Sequence, residues 1–378
     1  MEAGDAPLRL ATPRESSAGP GRSAVRRMSF RLTLLDGRVY RLEQGVTMQA
    51  GERDPERGQL RRLIGEVLAG LAKLATFVAG GLTVGGSLAG MAWVFELACH
   101  FRVQYLTVLL IGAITLAAAR SWRWCGVAAL FAGWNALLIA PLYFAWESET
   151  PSAWVGERWR IVSVNLYSGN RRPEMVIDFL RRETPDVVVA VELTERWHHQ
   201  LQQLSAELPH QETFAGNGNF GIGVYSAWPI ESAEFKSIGD GNLIVIARLQ
   251  REGETLTVIG AHPFPPMGSA GVARRNRQLG KTGEVAAAVE GPLVLAGDLN
   301  TTSWSPAFGE LLERASLFDT RRGFGVQPTW PAGRAVLQIP IDHCLVSSDV
   351  RVVDRRVGPD VGSDHLPIVV DVRGPLVK

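Results

Sequence analysis

The order of apolar and polar positions divides the chain into two parts with different periods. Residues 74–95, 103–119 and 124–146 are three runs of 22, 17 and 23 residues without one charged side chain. A helix needs about 20 apolar residues to cross the ~30 Å hydrocarbon core of a bilayer, so the first and third runs are long enough. The second is short, but it is bracketed by Arg102 and Arg120, whose stems reach toward headgroups. Three such runs in close succession leave no polar helix face. That argues against a soluble helical hairpin and for three transmembrane helices. From residue 159 onward the apolar segments shorten. Strands are expected at 160–165, 186–192, 221–225, 243–249, 255–261, 293–296, 341–346 and 368–372, and helices at 173–182, 195–207, 273–289 and 306–315. The early part alternates strand and helix, whereas 221–261 is strand after strand. This suits one sizeable α+β domain, two sheets packed together with helices outside.

Ahead of the spans, residues 1–27 are rich in Ala, Gly, Pro, Ser and Arg and read as disordered. No basic start followed by an apolar run occurs there, so a cleaved signal peptide is not expected. SFRLTLLDGRVYRL (29–42) reads as a hairpin about Asp36-Gly37. The expected organisation is an N-terminal segment 1–61, a membrane domain 62–148, a linker 149–158 and a catalytic domain 159–378.

Composition adjusts this picture in a few places. With 46% hydrophobic and 20% charged residues, the chain is less charged than usual for soluble proteins. Its 39 basic and 38 acidic side chains exclude a globally basic nucleic-acid coat and an acidic tail protein. Three cysteines make no disulfide framework, and no Cys/His spacing suggests structural zinc. Seven of the eleven tryptophans lie between Trp93 and Trp159, mostly at run ends, as an aromatic belt requires. Arg61, Arg62 and Lys73 precede the first run, Arg120 and Arg123 separate the second from the third, and Glu147 and Glu149 follow the third. This bias puts the N-terminus in the cytoplasm and the catalytic domain outside, a multi-pass arrangement in the cell (inner) membrane. Gly81/Gly85 and Gly86/Gly90 have small-xxx-small spacing, best read as packing among the chain's own helices. No carboxylate or lysine lies within any run, which disfavours a channel or carrier.

The candidate chemistry lies at strand ends. Asn165 ends IVSVN, Glu192 ends DVVVAVE, His262 follows TVIGA, Asp298 and Asn300 follow LVLAG, Asp342 opens IDHCLV, and Asp364-His365 precede LPIVVDV. One carboxylate at a strand end is usually a solvated turn residue; six such ends with two histidines describe side chains gathered into one site. Glu, Asp and Asn are hard oxygen ligands suited to Mg²⁺ or Mn²⁺. The histidines and a spare carboxylate supply proton transfer and positive charge, the set that phosphoester hydrolysis needs.

The ordered motifs SVN, VE, AH, GDLN, PIDH and GSDHLP resemble the endonuclease/exonuclease/phosphatase superfamily of DNase I-like nucleases, AP endonucleases, inositol-polyphosphate phosphatases and neutral sphingomyelinases. The strongest pieces are GDLNTTSWSPAF (297–308) and GSDHLPIVVDV (362–372). The resemblance implies a four-layer α/β-sandwich and divalent-metal-dependent phosphoester cleavage, and the spans ahead of it resemble a bacterial membrane-anchored branch. It implies Glu192 as main metal ligand with Asn165 beside it, and Asp364 as a further acidic residue on the metal. Asp298 is similar to the carboxylate that orients or deprotonates the attacking water, and Asn300 to a residue that positions phosphate or water. His365, held by Asp342, is similar to the histidine that stabilises the pentacovalent phosphate; His262 resembles a second histidine, a phosphate contact or acid. Leu166 and Tyr167 follow Asn165 where a second acidic ligand would stand, which weakens a two-metal scheme.

Gly216, Gly218 and Gly221 spell GxGxxG, but a strand follows, so no dinucleotide site is expected. Asn219 in that stretch is a candidate substrate contact. Arg274 at a helix start is a candidate phosphate contact or part of a solvated basic face, and Trp330 a candidate stacking or core residue. The expected substrate is a phospholipid headgroup, nucleic acid or small phosphoester, with the lipid bilayer as a second partner. The rival class is a non-catalytic membrane-bound recognition domain of the same fold.

Overall fold

The computed structural model describes residues 29–33, 39–43, 55–145, 156–216 and 218–374. The chain divides into two compact units, residues 1–67 and 68–378. In the first, β1 (Ser29–Thr33) pairs antiparallel with β2 (Val39–Glu43), Ser29 opposite Glu43. The expected Asp36-Gly37 turn and the disorder expected for 1–27 lie outside the described residues, as does most of the 149–158 linker.

The apolar helices are α1 (Pro55–Ser87), α2 (Trp93–Cys99), α3 (Arg102–Ala118) and α4 (Trp122–Ile139), the last extended by a 3₁₀ turn, Ala140–Tyr143. Gln59–Ser87 and Trp122–Tyr143 are long and apolar enough to cross a membrane; α2 and α3 make a third only if their 68° bend is taken as one broken span. The 74–95 run is therefore not one helix. α1 starts earlier, at Pro55, where proline suits the first helical turn. It ends at Ser87, and a turn through 88–91 redirects the chain into α2. Within the second unit Arg102 Nη1 donates to Thr83 O (2.9 Å), and Asn135 Nδ2 donates to Thr83 Oγ1 (2.8 Å). Gly86 lies against the Cys99 backbone at the α2–α3 corner, whereas Gly81 and Gly90 face open space.

The remaining strands and helices run in chain order β3 (Arg158–Asn165), α5 (Pro173–Glu183), β4 (Val187–Val191), α6 (Glu195–Leu201), β5 (His210–Phe214), β6 (Ile222–Ser226), β7 (Ile230–Gly239), β8 (Asn242–Arg251) and β9 (Glu254–Gly260). They continue with α7 (Gly268–Ala287), β10 (Leu293–Asp298), α8 (Pro306–Ala315), β11 (Leu317–Asp319), β12 (Asp342–Ser347), β13 (Arg351–Val357) and β14 (Ile368–Arg373). Two six-stranded sheets result, ordered β13-β14-β3-β4-β6-β5 and β11-β12-β10-β9-β8-β7. The helix expected over 195–207 is shorter, giving way to a 3₁₀ turn at Gln202–Leu204.

Strand parity explains the layers. Trp159, Ile161, Val187, Val189, Val294, Ala296 and their alternating counterparts form one apolar layer between the sheets. The intervening residues face outward: Val162, Val164 and Val188 with Phe179 of α5 and Trp197 of α6, and Leu293 and Leu295 with Leu279 of α7 and Phe308 of α8. A strand buried on both faces reads as a continuous apolar run, which is why β3, β4, β9 and β10 stand out in the sequence. The architecture is thus four layers, helices, sheet, sheet, helices.

The GxGxxG stretch has a steric purpose here. A Cβ on Gly221 would lie 1.8 Å from Leu193 O, next to the bond from Leu193 N to Gly221 O (2.9 Å) that seats the chain leaving β4. Gly221→Ala is expected to destabilise the protein by about 3 kcal/mol or more. A thermal midpoint within a degree of wild type would show that the loop yields instead.

Candidate active site

The same parity that fills the core delivers the polar groups. Asn165 continues the inward series 159, 161, 163 of β3, and Asp298 continues 294, 296 of β10. Asp342 precedes inward-facing Cys344 and Val346 of β12. β3 runs parallel to β4 and β9 parallel to β10, while β12 and β14 run antiparallel to their neighbours. C-terminal ends of the first four and N-terminal ends of the last two therefore meet at one end of the sandwich. Asp298 and Asp342 are direct register partners. Glu192, one residue past β4, takes a left-handed backbone (φ 57°), as does Asn300 (φ 49°). This conformation costs a non-glycine residue about 1 kcal/mol or more and turns the chain sharply at the strand end.

Asp298 is the hub. Its Oδ2 accepts from Asn165 Nδ2 (3.2 Å) and stands 3.5 Å from His262 Nε2 and 3.6 Å from His365 Nε2. Its Oδ1 accepts from the Asn300 backbone N–H (2.9 Å). Asn165 Nδ2 also reaches Glu192 Oε1 (3.2 Å), and the Ser168 N–H donates to Glu192 Oε2 (2.9 Å). Asn165 thus faces both carboxylates with its amide nitrogen, while its Oδ1 accepts from the Tyr167 N–H (3.0 Å). His365 Nδ1 pairs with Asp342 Oδ2 at 2.9 Å. Asp298, Asp342 and His365 bring one potential ligand atom each within 4.8 Å of one another.

Burial alone would raise the Asp298 carboxyl, but His365, His262 and the Asn300 N–H outweigh it and hold the group down at about 2. Burial alone would discharge His365, but Asp342 and Asp298 outweigh it and push the imidazole up to about 10. The pair is an ionised acceptor facing a charged donor, the separation of roles that acid–base catalysis requires.

A cleft of about 580 Å³ opens over this cluster. Glu192, His262, Asp298, Asn300, Asp364 and His365 line its polar end. Asn219 stands at the cleft too, its Oδ1 accepting from Ser168 Oγ (2.7 Å). Trp330 lines it with its Nε1 donating to Asp364 Oδ2 (3.3 Å) and its ring 6.3 Å from that of His365. Asp342 is placed behind His365. Arg274 is not among the lining residues: it pairs with Asp240 (3.6 Å) and lies over the Phe264 ring (4.7 Å), as a basic side chain with a nearer carboxylate and aromatic face will.

Three features were not read from the sequence. Ser363 Oγ ties the His365 loop to β3 by donating to Asn165 O (2.7 Å). Thr329 Oγ1 accepts from the Asp342 N–H (3.3 Å). Most consequential, Trp93, Leu97, His100 and Phe101 from the apolar half line the same cleft. The one available signal was Glu96 and His100, an isolated polar pair beside apolar runs.

The donor set fits a hard divalent cation. Glu192, Asp298 and Asp364 contribute carboxylates to a cleft with no lysine or arginine among its described lining residues. Asp364 Oδ1 is buried without a hydrogen-bond partner. A buried carboxylate oxygen left unpartnered beside other carboxylates is characteristic of cation sites.

A two-sheet α+β sandwich that gathers carboxylates, amides and histidines at one end of its strands has the architecture of hydrolases acting on phosphoester bonds. The sequence profile of the endonuclease/exonuclease/phosphatase family matches residues 162–365, more than half of the 378-residue chain, and the chain belongs to that family. Its members are generally phosphoester hydrolases and typically depend on a divalent metal. No curated protein matches the chain in sequence. Among solved structures, the endonuclease/exonuclease/phosphatase from Beutenbergia cavernae is similar at 23% identity over 58% of this chain and 72% of that one, with a TM-score of 0.49. D. rerio TDP2 complexed with single strand DNA product is similar at 18% identity over 57% and 99%, with a TM-score of 0.49. The family member from Bacteroides vulgatus is similar at 17% identity over 58% and 99%, with a TM-score of 0.48.

Proposed function

We propose that the protein is a membrane-anchored, Mg²⁺-dependent phosphoesterase. The observation that carries this reading is the pair at the cleft floor, the Asp298 carboxylate 3.6 Å from His365 Nε2, with His365 Nδ1 paired to Asp342. Asp298 accepts a proton as water forms a bond to phosphorus, and Asn300 helps to hold that water or a phosphoryl oxygen. His365 donates to the charge that develops on the phosphoryl group. His262, 4% exposed and 3.5 Å from the same Asp298 oxygen, gives a proton to the departing ester oxygen as the old P–O bond breaks. A cation held by Glu192 and Asp364 would supply Lewis-acid polarisation of a phosphoryl oxygen.

The membrane reading rests on the two or three apolar helices. The catalytic domain bonds to the start of α3 and the end of α4: Gln104 Nε2 donates to Gln338 O (2.9 Å), and Trp304 Nε1 to Leu138 O (3.1 Å). Those ends, with the end of α1 bonded to Arg102, come together at the catalytic domain, which supports its being carried at one end of the apolar helices. The Lys/Arg bias makes that end extracytoplasmic.

The test is hydrolysis by the detergent-purified full chain of bis-p-nitrophenyl phosphate, p-nitrophenyl phosphate, plasmid DNA and phospholipid vesicles, with Mg²⁺, Mn²⁺ or EDTA. Turnover that Mg²⁺ supports and EDTA abolishes is expected. A folded protein that binds Mg²⁺ but turns over none of these is a recognition domain instead.

A further inference from the structure

We infer that the cleft is a composite of catalytic domain and membrane segment, in which α2 forms a subsite for the hydrocarbon part of an amphiphilic phosphoester. This deepens the phosphoesterase reading and rests on it. Trp93 and Leu97 of α2 and Phe101 just after it line the same cleft as Asp298 and His365, with Pro265 and Met267 also on its wall. The polar end thus handles phosphate, and the remaining surface offers mainly apolar side chains.

α2 is held in place by more than apolar contact. Glu96 pairs with Arg275 of α7, the two side chains 2% and 0% exposed. Ser305 Oγ donates to Glu96 Oε1 (2.5 Å), and Arg275 Nη1 donates to Asn300 O (2.8 Å). The anchor of α2 is therefore bonded directly to a residue of the cleft floor. His100 Nδ1 meets Thr302 Oγ1 at 2.9 Å, while its Nε2 is buried without a partner in a side chain that lines the cleft. An imidazole nitrogen left free in a side chain of the cleft wall is a ready contact for a headgroup oxygen.

Two observations select an amphiphile over nucleic acid. No lysine or arginine is among the described lining residues, whereas a polyanionic backbone is bound chiefly through such cations. Moreover, α2 leads through His100 and Phe101 into α3 and packs beside the end of α1, where Gly85 meets Phe95. The cleft wall and the apolar helices belong to one layer, so a chain leaving the cleft along α2 remains on apolar surface.

The experiment compares two p-nitrophenyl phosphodiesters that differ only in the second ester, methyl or octyl, using the full chain in dodecyl maltoside with Mg²⁺. Burying several methylenes is expected to raise kcat/KM for the octyl ester at least ~10-fold over the methyl ester. Leu97→Ser and Met267→Ser are each expected to pull that ratio toward one. Met267 is 80% exposed, so its replacement does not threaten the fold. A wild-type ratio near one overturns the subsite. So does a high ratio unchanged in both variants, because partition into the micelle then explains the preference. Turnover of neither ester overturns the phosphoesterase reading along with the subsite, whereas turnover of the methyl ester without chain-length preference overturns the subsite alone.

Discussion

Replacing Asp298 by alanine in the full chain is expected to lower kcat for a p-nitrophenyl phosphodiester by about 10³–10⁴-fold while the protein remains folded. The magnitude follows from convergence on one carboxylate. Asp298 accepts from Asn165 and the Asn300 N–H and faces both histidines. Its loss removes the proton acceptor and one of the carboxylates, with Asp342 and Asp364, that keep His365 charged. Asp298→Asn is the control, nearly equal in volume but unable to take the proton. If the Asp298→Asn variant kept more than a tenth of wild-type kcat, Asp298 would be a spacer and not a base. His365→Ala is expected to be about as damaging, and the double variant scarcely worse than either single one, as for residues that act as a unit.

The largest effect on stability is expected at Asp319, which does not line the cleft. Its carboxylate accepts from Arg321 Nη2 (2.7 Å) and Nε (3.2 Å), and both side chains are shut off from solvent. Arg321 Nη2 also approaches His343 Nδ1 (3.4 Å), and His343 Nε2–H donates to Thr301 O (2.8 Å), one residue past Asn300. Asp319→Asn leaves Arg321 buried and uncompensated, at an expected cost of about 3–5 kcal/mol, read as a lowered thermal midpoint. The pH dependence has a definite sign. Burial opposes the Asp319 charge, but Arg321 overcomes it and holds the carboxyl well below its usual range. That stability is present above about pH 4, where the unfolded carboxyl ionises, and is lost as pH falls further. Burial first, then Arg321, lowers His343 to about 3, so the unfolded chain binds the extra proton between about pH 6.5 and 3 and stability falls across that window. Wild-type protein should therefore lose stability progressively below about pH 6.5, and Asp319→Asn should lack the steepest acid limb. An acid limb identical in the variant would remove Asp319 from the account.

What could be read in advance follows from burial. The eight anticipated strands are those with an interior place in a sheet. The four that escaped, β5, β7, β11 and β13, are the sheet edges. β13 (RVVDRRV) and β7 (IESAEFKSIG) are half solvated and carry charges along their length, so the two-residue period that marks a buried strand is absent. The site was legible for the same reason as the core. Asn165, Asp298 and Asp342 stand where inward-facing series meet solvent, and a polar residue there interrupts an apolar pattern. Of the two readings of Arg274, its exposure and its pairing with Asp240 favour the solvated basic face. The α2 wall was invisible because an apolar residue facing a cleft and one facing lipid have the same composition. Likewise, the turn at 88–91 lies within a run of unbroken hydrophobicity.

At the far end of α4, the Gly323 and Gly325 N–H groups both donate to Leu142 O, at 2.9 and 2.8 Å. A helix terminus ordinarily leaves such a carbonyl to water; here the catalytic domain occupies it. The reach of the enzyme is then set by bonded contacts and not by the contour length of the connecting chain, unlike a domain on a tether that searches a volume. On the membrane-anchored reading proposed above, encounter becomes a matter of two-dimensional traffic: an amphiphilic substrate diffuses along the surface to a cleft at constant height, and lateral concentration, not bulk concentration, sets the rate at which the site is filled.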